Sequence, residues 1–103
     1  MQQEIPAINK MMYNIKPKLE ALQASLRTAL SRNGYNTSVE VSNYLGDLYI
    51  QIVISLPDNV DSKYVSNTSK YINSILPNYV YATNPHLFES NKILLEVWPW
   101  PTA

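Results

Sequence analysis

The chain has 103 residues and a formal net charge of zero; 46% of the residues are hydrophobic and none is cysteine. This length and hydrophobic content are typical of one folded domain and argue against disorder. The absence of cysteine excludes a disulfide framework, a zinc–thiolate site and a cysteine nucleophile. No apolar run approaches the roughly 20 residues that span a bilayer, and the first residues show no signal-peptide pattern. We therefore expect an intracellular protein that does not enter a membrane.

The charged residues are unevenly distributed along the chain. Residues 1–34 carry five basic and two acidic side chains, whereas residues 35–103 carry three basic and six acidic ones. A polarised charge distribution can orient a partner. A solvated basic helix would give the same pattern, and we favour that simpler interpretation.

The first predicted element is an amphipathic helix, because apolar residues recur every three or four positions through the first 30 residues. Pro17 interrupts this pattern, since proline costs about 3 kcal/mol inside a helix but almost nothing in its first turn. We therefore place the N-cap at Asn14 and the main helix over residues 15–33. Residues 5–13 would then form a short helix, an arm or a kinked extension.

The end of this helix is marked by Gly34, which can adopt the left-handed conformation that caps helices. The spacing of the apolar residues also suits a coiled coil. Dimerisation through Ile5, Ile8 and Met12 is a further alternative. We favour packing within one chain, because a coiled coil would have to continue through Pro17.

Four strands are predicted from the alternation of apolar and polar residues. One contains Val39 and Val41, and the next spans about residues 48–56; the other two span residues 79–83 and 92–98. The strand over 48–56 is the most apolar and β-branched, so we place it in the centre of the sheet. Numbered along the chain, the expected strand order is 1-2-4-3.

The second predicted helix begins after Asp61, an N-cap residue type. Val60 before the cap is spaced to pack on Val65 as a hydrophobic staple. Pro77 disfavours helical geometry at the preceding residue, so the helix should end there. A loop is predicted over residues 84–91, before the last strand.

The order helix–strand–strand occurs twice, which predicts an α+β fold of two consecutive α-β-β units. We expect a four-stranded antiparallel sheet with both helices on one face. A shift of 43 residues superposes Ile93 on Ile50 and Leu95 on Ile52, as a duplication would; two similar units could also arise by chance. The proposed division of the single domain is an arm over 1–13, a first unit over 14–57, a second unit over 58–98 and a Pro/Trp tail over 99–103.

Two such units in about a hundred residues, no cysteine, and frequent Asn, Tyr and Ile resemble the small orphan proteins of hyperthermophilic archaeal filamentous viruses, the lipothrixviruses. The resemblance covers the whole chain and rests on length, composition and organisation. It implies an intracellular viral protein with no assigned activity, and it transfers no site residue. A thermophilic setting would require the Asn33–Gly34 turn to be rigid, because this sequence is chemically fragile when it is flexible and hot.

The residues that carry most enzyme chemistry are scarce, so we do not expect an enzyme. The single histidine, His86, lies in the predicted loop with Glu89 nearby in sequence. Catalysis would need an oriented partner for this imidazole. No cluster of metal-ligating residues and no glycine-rich phosphate loop occurs, so we expect no metal and no cofactor.

Aromatic side chains give the strongest functional signal. Tyr49, Tyr79, Tyr81 and Trp98 are predicted on the sheet face opposite the core. Aromatic residues are enriched at the cores of protein interfaces. We therefore predict that this face binds a protein partner or a second copy of the chain.

The chain ends in an unusual segment in which Pro99 and Pro101 flank Trp100. A proline-rich segment is already extended and loses little entropy on binding, and tryptophan is frequent among binding hot spots. This tail either contributes Trp100 to partner binding or folds back to shield the sheet edge.

The alternative function is single-stranded nucleic-acid binding. An open sheet face that carries aromatic residues can stack unpaired bases. Positive charges would have to contact the phosphates. The candidate cations are Lys92 on the same face and, on the first helix, Lys16, Lys18 and Arg27.

Overall fold

A computed structural model describes residues 7–101 of the chain. Two helices and five strands follow one another along it, and all five strands belong to one sheet. The elements are α1 (Ala7–Arg32), β1 (Asn36–Tyr44), β2 (Asp47–Ser55), α2 (Ser62–Ile75), β3 (Val80–Ala82), β4 (His86–Phe88) and β5 (Lys92–Pro99). The protein is therefore of the α+β class, as predicted.

Helix α1 passes through Pro17 without a break. The predicted helix start at Asn14 is wrong, because the helix already begins at Ala7. Proline removes one backbone hydrogen bond and crowds the preceding turn. Beyond Pro17, packing of Leu19 and Leu26 in the core stabilises the same helix. The predicted dimer contacts of Ile5, Ile8 and Met12 lie outside the described residues or side chains.

The C-terminus of α1 is capped as the sequence predicts. Gly34 has a left-handed φ of 79°, and its N–H donates to the Ser31 carbonyl, while the Tyr35 N–H donates to Leu30. These two bonds satisfy carbonyls that the helix end would leave free. The Asn33 amide donates to the Ala29 carbonyl and, at 2.8 Å, to the Tyr71 hydroxyl, so this turn is held on both sides.

The strand order is β1-β2-β5-β3, with β4 also paired to β5, and every pairing is antiparallel. This confirms the expected order, in which the two most apolar strands are central. The prediction of four strands was incomplete, because His86–Phe88 within the predicted loop forms β4 and pairs with the start of β5. Strands β1 and β2 are joined by a two-residue turn in which Leu45 and Gly46 both have positive φ, which suits the twist of a hairpin.

Helix α2 follows the predicted signals closely. The Asp61 carboxylate accepts a hydrogen bond from the Tyr64 N–H at 2.8 Å, and Leu76 before Pro77 is extended, with ψ 139°. Tyr64 also packs edge-to-face on Tyr35. Desolvation, together with the neighbouring Tyr35, raises the pKa of the Tyr64 phenol. The contact between the Tyr35 and Tyr64 rings connects α2 to the segment that leads into β1.

Both helices pack on one face of the sheet, as predicted. The core combines one stripe from each helix with alternate residues of the strands. Leu19 and Leu30 of α1, Ile72 of α2, and Ile52 of β2 are fully buried. The opposite face of the sheet, called the outer face below, carries the alternate side chains, which are half-buried or exposed. Within residues 7–101, no helix is long and apolar enough to cross a membrane.

One polar side chain in this core lacks a partner. Thr68 of α2 is 1% exposed, and its hydroxyl forms no hydrogen bond among the described residues. A buried hydroxyl without a partner costs about 1–3 kcal/mol relative to its hydrated state. The cost is absent when an apolar group of similar shape occupies the same place.

Thr68→Val is therefore expected to stabilise the protein. We expect a gain of about 1 kcal/mol in the free energy of unfolding, which corresponds to roughly 4–8 °C in Tm for a domain of this size. Thermal unfolding followed by circular dichroism measures the shift. Thr28→Val is the matched control, because the Thr28 hydroxyl is exposed and already bonded to Ala24. A Tm that is unchanged or lower in Thr68→Val would contradict the conclusion that the buried Thr68 hydroxyl lacks a hydrogen-bond partner.

Candidate partner-binding surface

Aromatic side chains from three strands meet on the outer face. Tyr81 of β3 lies directly opposite Trp98 of β5, and the Tyr49 ring of β2 stacks on Trp98 from the other side. Trp100 packs against Tyr81. We call Tyr49, Trp98, Tyr81 and Trp100 the aromatic row. Three of its members were predicted on this face, and the fourth was predicted in the tail.

The rings of the aromatic row form two close pairs. Tyr49 and Trp98 are nearly parallel, at 10°, with centroids 4.4 Å apart; Tyr81 and Trp100 are 4.3 Å apart and tilted by 37°. Such pairs contribute about 0.5–1.5 kcal/mol beyond the area they bury. Trp100 remains 56% exposed. The row is therefore a preformed aromatic surface that retains accessible area.

The start of the tail is ordered against β3. Pro99 lies opposite Val80 in the ladder, and the Trp100 N–H donates to the Tyr79 carbonyl at 3.0 Å. The backbone of Trp100 is thus fixed, and its side chain lies against Tyr81 rather than away from the sheet. The tail therefore continues the β3–β5 pairing by one residue and leaves Trp100 exposed on the outer face.

Tyr79 was predicted on the outer face, and this placement is wrong. Its ring packs against the hydrophobic core on the helix side and lies under the Lys18 ammonium of α1, 5.4 Å from the ring centroid. Tyr79 precedes the regular part of β3. Strict alternation therefore does not extend to it, and its side chain turns toward the helices.

A carboxylate adjoins the aromatic row. Glu96 of β5 is half-buried on the outer face and lies opposite Gln51 of β2. Its Oε1 accepts a hydrogen bond from the Trp98 indole Nε1 at 3.0 Å. Among residues 7–101, Glu96 is in no ion pair. The aromatic row therefore adjoins a carboxylate with which no cation of the described residues is paired.

The cations proposed for nucleic-acid binding do not converge on the aromatic row. Lys92 pairs with Glu89 at 2.8 Å, and its ammonium is 5.8 Å from the centroid of the Phe88 ring. Arg27 pairs with Glu40 at 3.1 Å. Lys16 and Lys18 are exposed on α1, which packs on the other face of the sheet. No continuous basic groove is formed by these side chains.

The remaining polar candidates give no catalytic constellation. His86 is exposed in β4, and the Glu89 carboxylate is engaged by Lys92 instead. No group of three or more potential metal ligands occurs in the described part of the chain. His86 therefore has no oriented partner among residues 7–101.

Sequence reasoning missed a set of contacts at the β1 edge of the sheet. Gln23 of α1 donates to the Val39 carbonyl at 2.8 Å, and Arg27 reaches Glu40. We call these contacts the edge clasp. They join residues 13–17 positions apart, so no local sequence pattern could reveal them. Uncovered edge strands invite pairing with other chains, and the clasp engages the Val39 carbonyl and the Glu40 side chain at the middle of this edge.

No protein-family model matches the chain, and comparisons with curated proteins and with solved structures find no match either. The aromatic row and Glu96 are the features that distinguish the outer face.

Removing the edge clasp is expected to promote association without unfolding the protein. The double variant Gln23→Ala/Arg27→Ala should lose about 1 kcal/mol or less, because the ion pair is exposed, yet it should form larger species than the wild type through β1. Size-exclusion chromatography with light scattering at rising concentration measures this. Arg32→Ala removes one charge from α1 outside the clasp and should leave the profile unchanged. Identical profiles for the double variant and the wild type would contradict this role.

Proposed function

We propose that this protein is a non-enzymatic interaction protein that docks a protein partner, or a second copy of itself, through the aromatic row and the adjoining Trp–Pro tail. The observation that carries the proposal is the convergence of four aromatic side chains on the sheet face that both helices leave uncovered. Tyrosine and tryptophan are enriched in interface cores and among hot spots. A role in docking accounts for their position outside the core.

The geometry of the row supports docking of a protein. The paired rings restrain one another, so little side-chain entropy remains to be lost on binding. Tyr49, Tyr81 and Trp98 are half-buried, whereas Trp100 is largely exposed. A partner could therefore cover Trp100 and the edges of the other rings without rearranging the sheet.

Single-stranded nucleic-acid binding is the alternative, and the aromatic row is the observation that favours it. Bases stack on exposed aromatic rings and contribute about 1–3 kcal/mol each. Two features weigh against this function: the row adjoins Glu96, and Lys92 and Arg27 are already paired with carboxylates. Phosphate binding needs an accessible basic surface.

The viral and intracellular setting and the duplication remain part of this proposal. The hydrogen bonds of Asn33 to Ala29 and Tyr71 restrain the Asn33–Gly34 turn, as a hot environment would require. The pairing of Ile52 with Leu95, two residues related by the 43-residue shift, is what a twofold between two duplicated α-β-β units would produce. The extra strand β4 belongs to the second unit alone.

Removing the Tyr81–Trp100 pair of the aromatic row is expected to weaken partner binding strongly. Tyr81→Ala/Trp100→Ala should reduce binding at least about tenfold, because hot-spot aromatics each contribute 2 kcal/mol or more. Self-association by analytical ultracentrifugation, and capture from extracts of the native host, measure the two forms of binding. Leu87→Ala is the control, since it removes another exposed apolar side chain outside the row. Equal binding by the double variant and the wild type would contradict the proposal.

The nucleic-acid alternative is tested by tryptophan fluorescence. Single-stranded DNA, single-stranded RNA and duplex DNA are titrated into the protein at low and moderate salt. Salt-sensitive quenching by a single strand would favour the alternative, because counterion release accompanies phosphate binding. An unchanged emission spectrum with all three nucleic acids is the result we expect.

A further inference from the structure

The position of Glu96 is unusual for a carboxylate. It lies within the pairing of β5 with β2, one residue before the end of that ladder, and is half-buried. Its cross-strand neighbours are both uncharged: Gln51 on β2, and Thr83, whose hydroxyl accepts a hydrogen bond from the Glu96 N–H. Partial burial of an unpaired charge is unfavourable. Within residues 7–101, the Trp98 indole is the one side chain that donates to this carboxylate.

Two nearby cations are already paired with other carboxylates. Lys92, at the start of β5, pairs with Glu89, and Arg27 of helix α1 pairs with Glu40 of β1. The Glu96 Oε2 atom accepts no side-chain hydrogen bond in the described part of the chain. This atom is therefore available to a cation from outside.

The aromatic row supplies a second and independent attraction for a cation. Trp98 is two residues from Glu96 on the same strand face, and Tyr49 and Tyr81 flank Trp98 on either side. The faces of tryptophan and tyrosine rings attract Lys and Arg through their quadrupole. A guanidinium also donates to a carboxylate while it stacks on a ring.

We propose that Glu96 and the aromatic row form a binding site for a cationic side chain, Arg or Lys, on a basic segment of the protein partner. This inference rests on the proposed docking function and specifies the chemistry of the partner. Arginine should be preferred to lysine, because its planar group combines stacking with directional hydrogen bonds to the carboxylate. Phosphate groups are disfavoured at the same place.

The test uses short peptides as probes of the full chain. Hexa-arginine, hexa-lysine and hexa-glutamate peptides are titrated while tryptophan emission is recorded. We expect saturable changes with the two basic peptides, tighter binding of hexa-arginine, and no change with hexa-glutamate. Absence of saturable binding by either basic peptide would overturn the proposal.

Two variants that change the net charge equally locate the binding. Glu96→Gln should weaken hexa-arginine binding about tenfold or more, whereas Glu20→Gln on exposed α1 should leave it nearly unchanged. Glutamine keeps an oxygen that accepts the Trp98 indole hydrogen bond, so Glu96→Gln should fold, as circular dichroism will verify. Equal weakening in both variants would indicate non-specific charge attraction and would overturn the site.

The experiments distinguish failure of the cation site from failure of the proposed docking function. If Tyr81→Ala/Trp100→Ala abolishes partner capture while Glu96→Gln leaves both capture and hexa-arginine binding intact, docking stands and the cation site is overturned. If Glu96→Gln weakens both, the cation site is supported. If hexa-arginine binds through Glu96 but the aromatic variant still captures the partner, the site stands as a cation site and the docking function fails.

Discussion

The antiparallel pairing of β2 with β5 is the constraint on which the rest of the structure depends. Ile52 lies opposite Leu95 at the centre of this pairing, and the adjoining residues Ile50 and Ile54 are also fully buried. Side chains alternate between the two faces of a strand, so a shift of one residue would turn this buried set toward solvent. Both helices then have one apolar surface on which to pack.

The same alternation fixes the outer face. Once the isoleucines of β2 point toward the helices, Tyr49 must point away, and Trp98 of β5 follows by the register of the pairing. The stacked pair is thus a consequence of how the core is buried. A second consequence is that Glu96 is held beside aromatic rings on a sheet surface rather than at a solvated loop. The proposed site therefore lies on the two central strands, whose other face forms the core.

The outer face and the β1 edge differ in what they offer to another chain. The outer face carries aromatic area and Glu96, which is in no ion pair within residues 7–101, whereas Gln23 and Arg27 of α1 engage Val39 and Glu40 at the β1 edge. Edge-strand pairing is non-specific in sequence, because it uses backbone groups. In the proposed docking function, side chains of the outer face would select a partner by its chemistry.

Local signals in the sequence determined the α+β class, the order of the strands, the C-terminal ends of both helices and the start of α2. Asp61, Gly34 and Pro77 act on their own backbone and on residues close in sequence. Their effects on where a helix begins or ends can therefore be predicted without knowing the tertiary structure. Tertiary packing decided the rest. Tertiary packing keeps α1 helical through Pro17 and turns Tyr79 toward the helices. It also brings Tyr49 and Trp98 into contact from positions far apart in sequence. These outcomes depend on which helix and strand surfaces pack together, and no local sequence pattern records that.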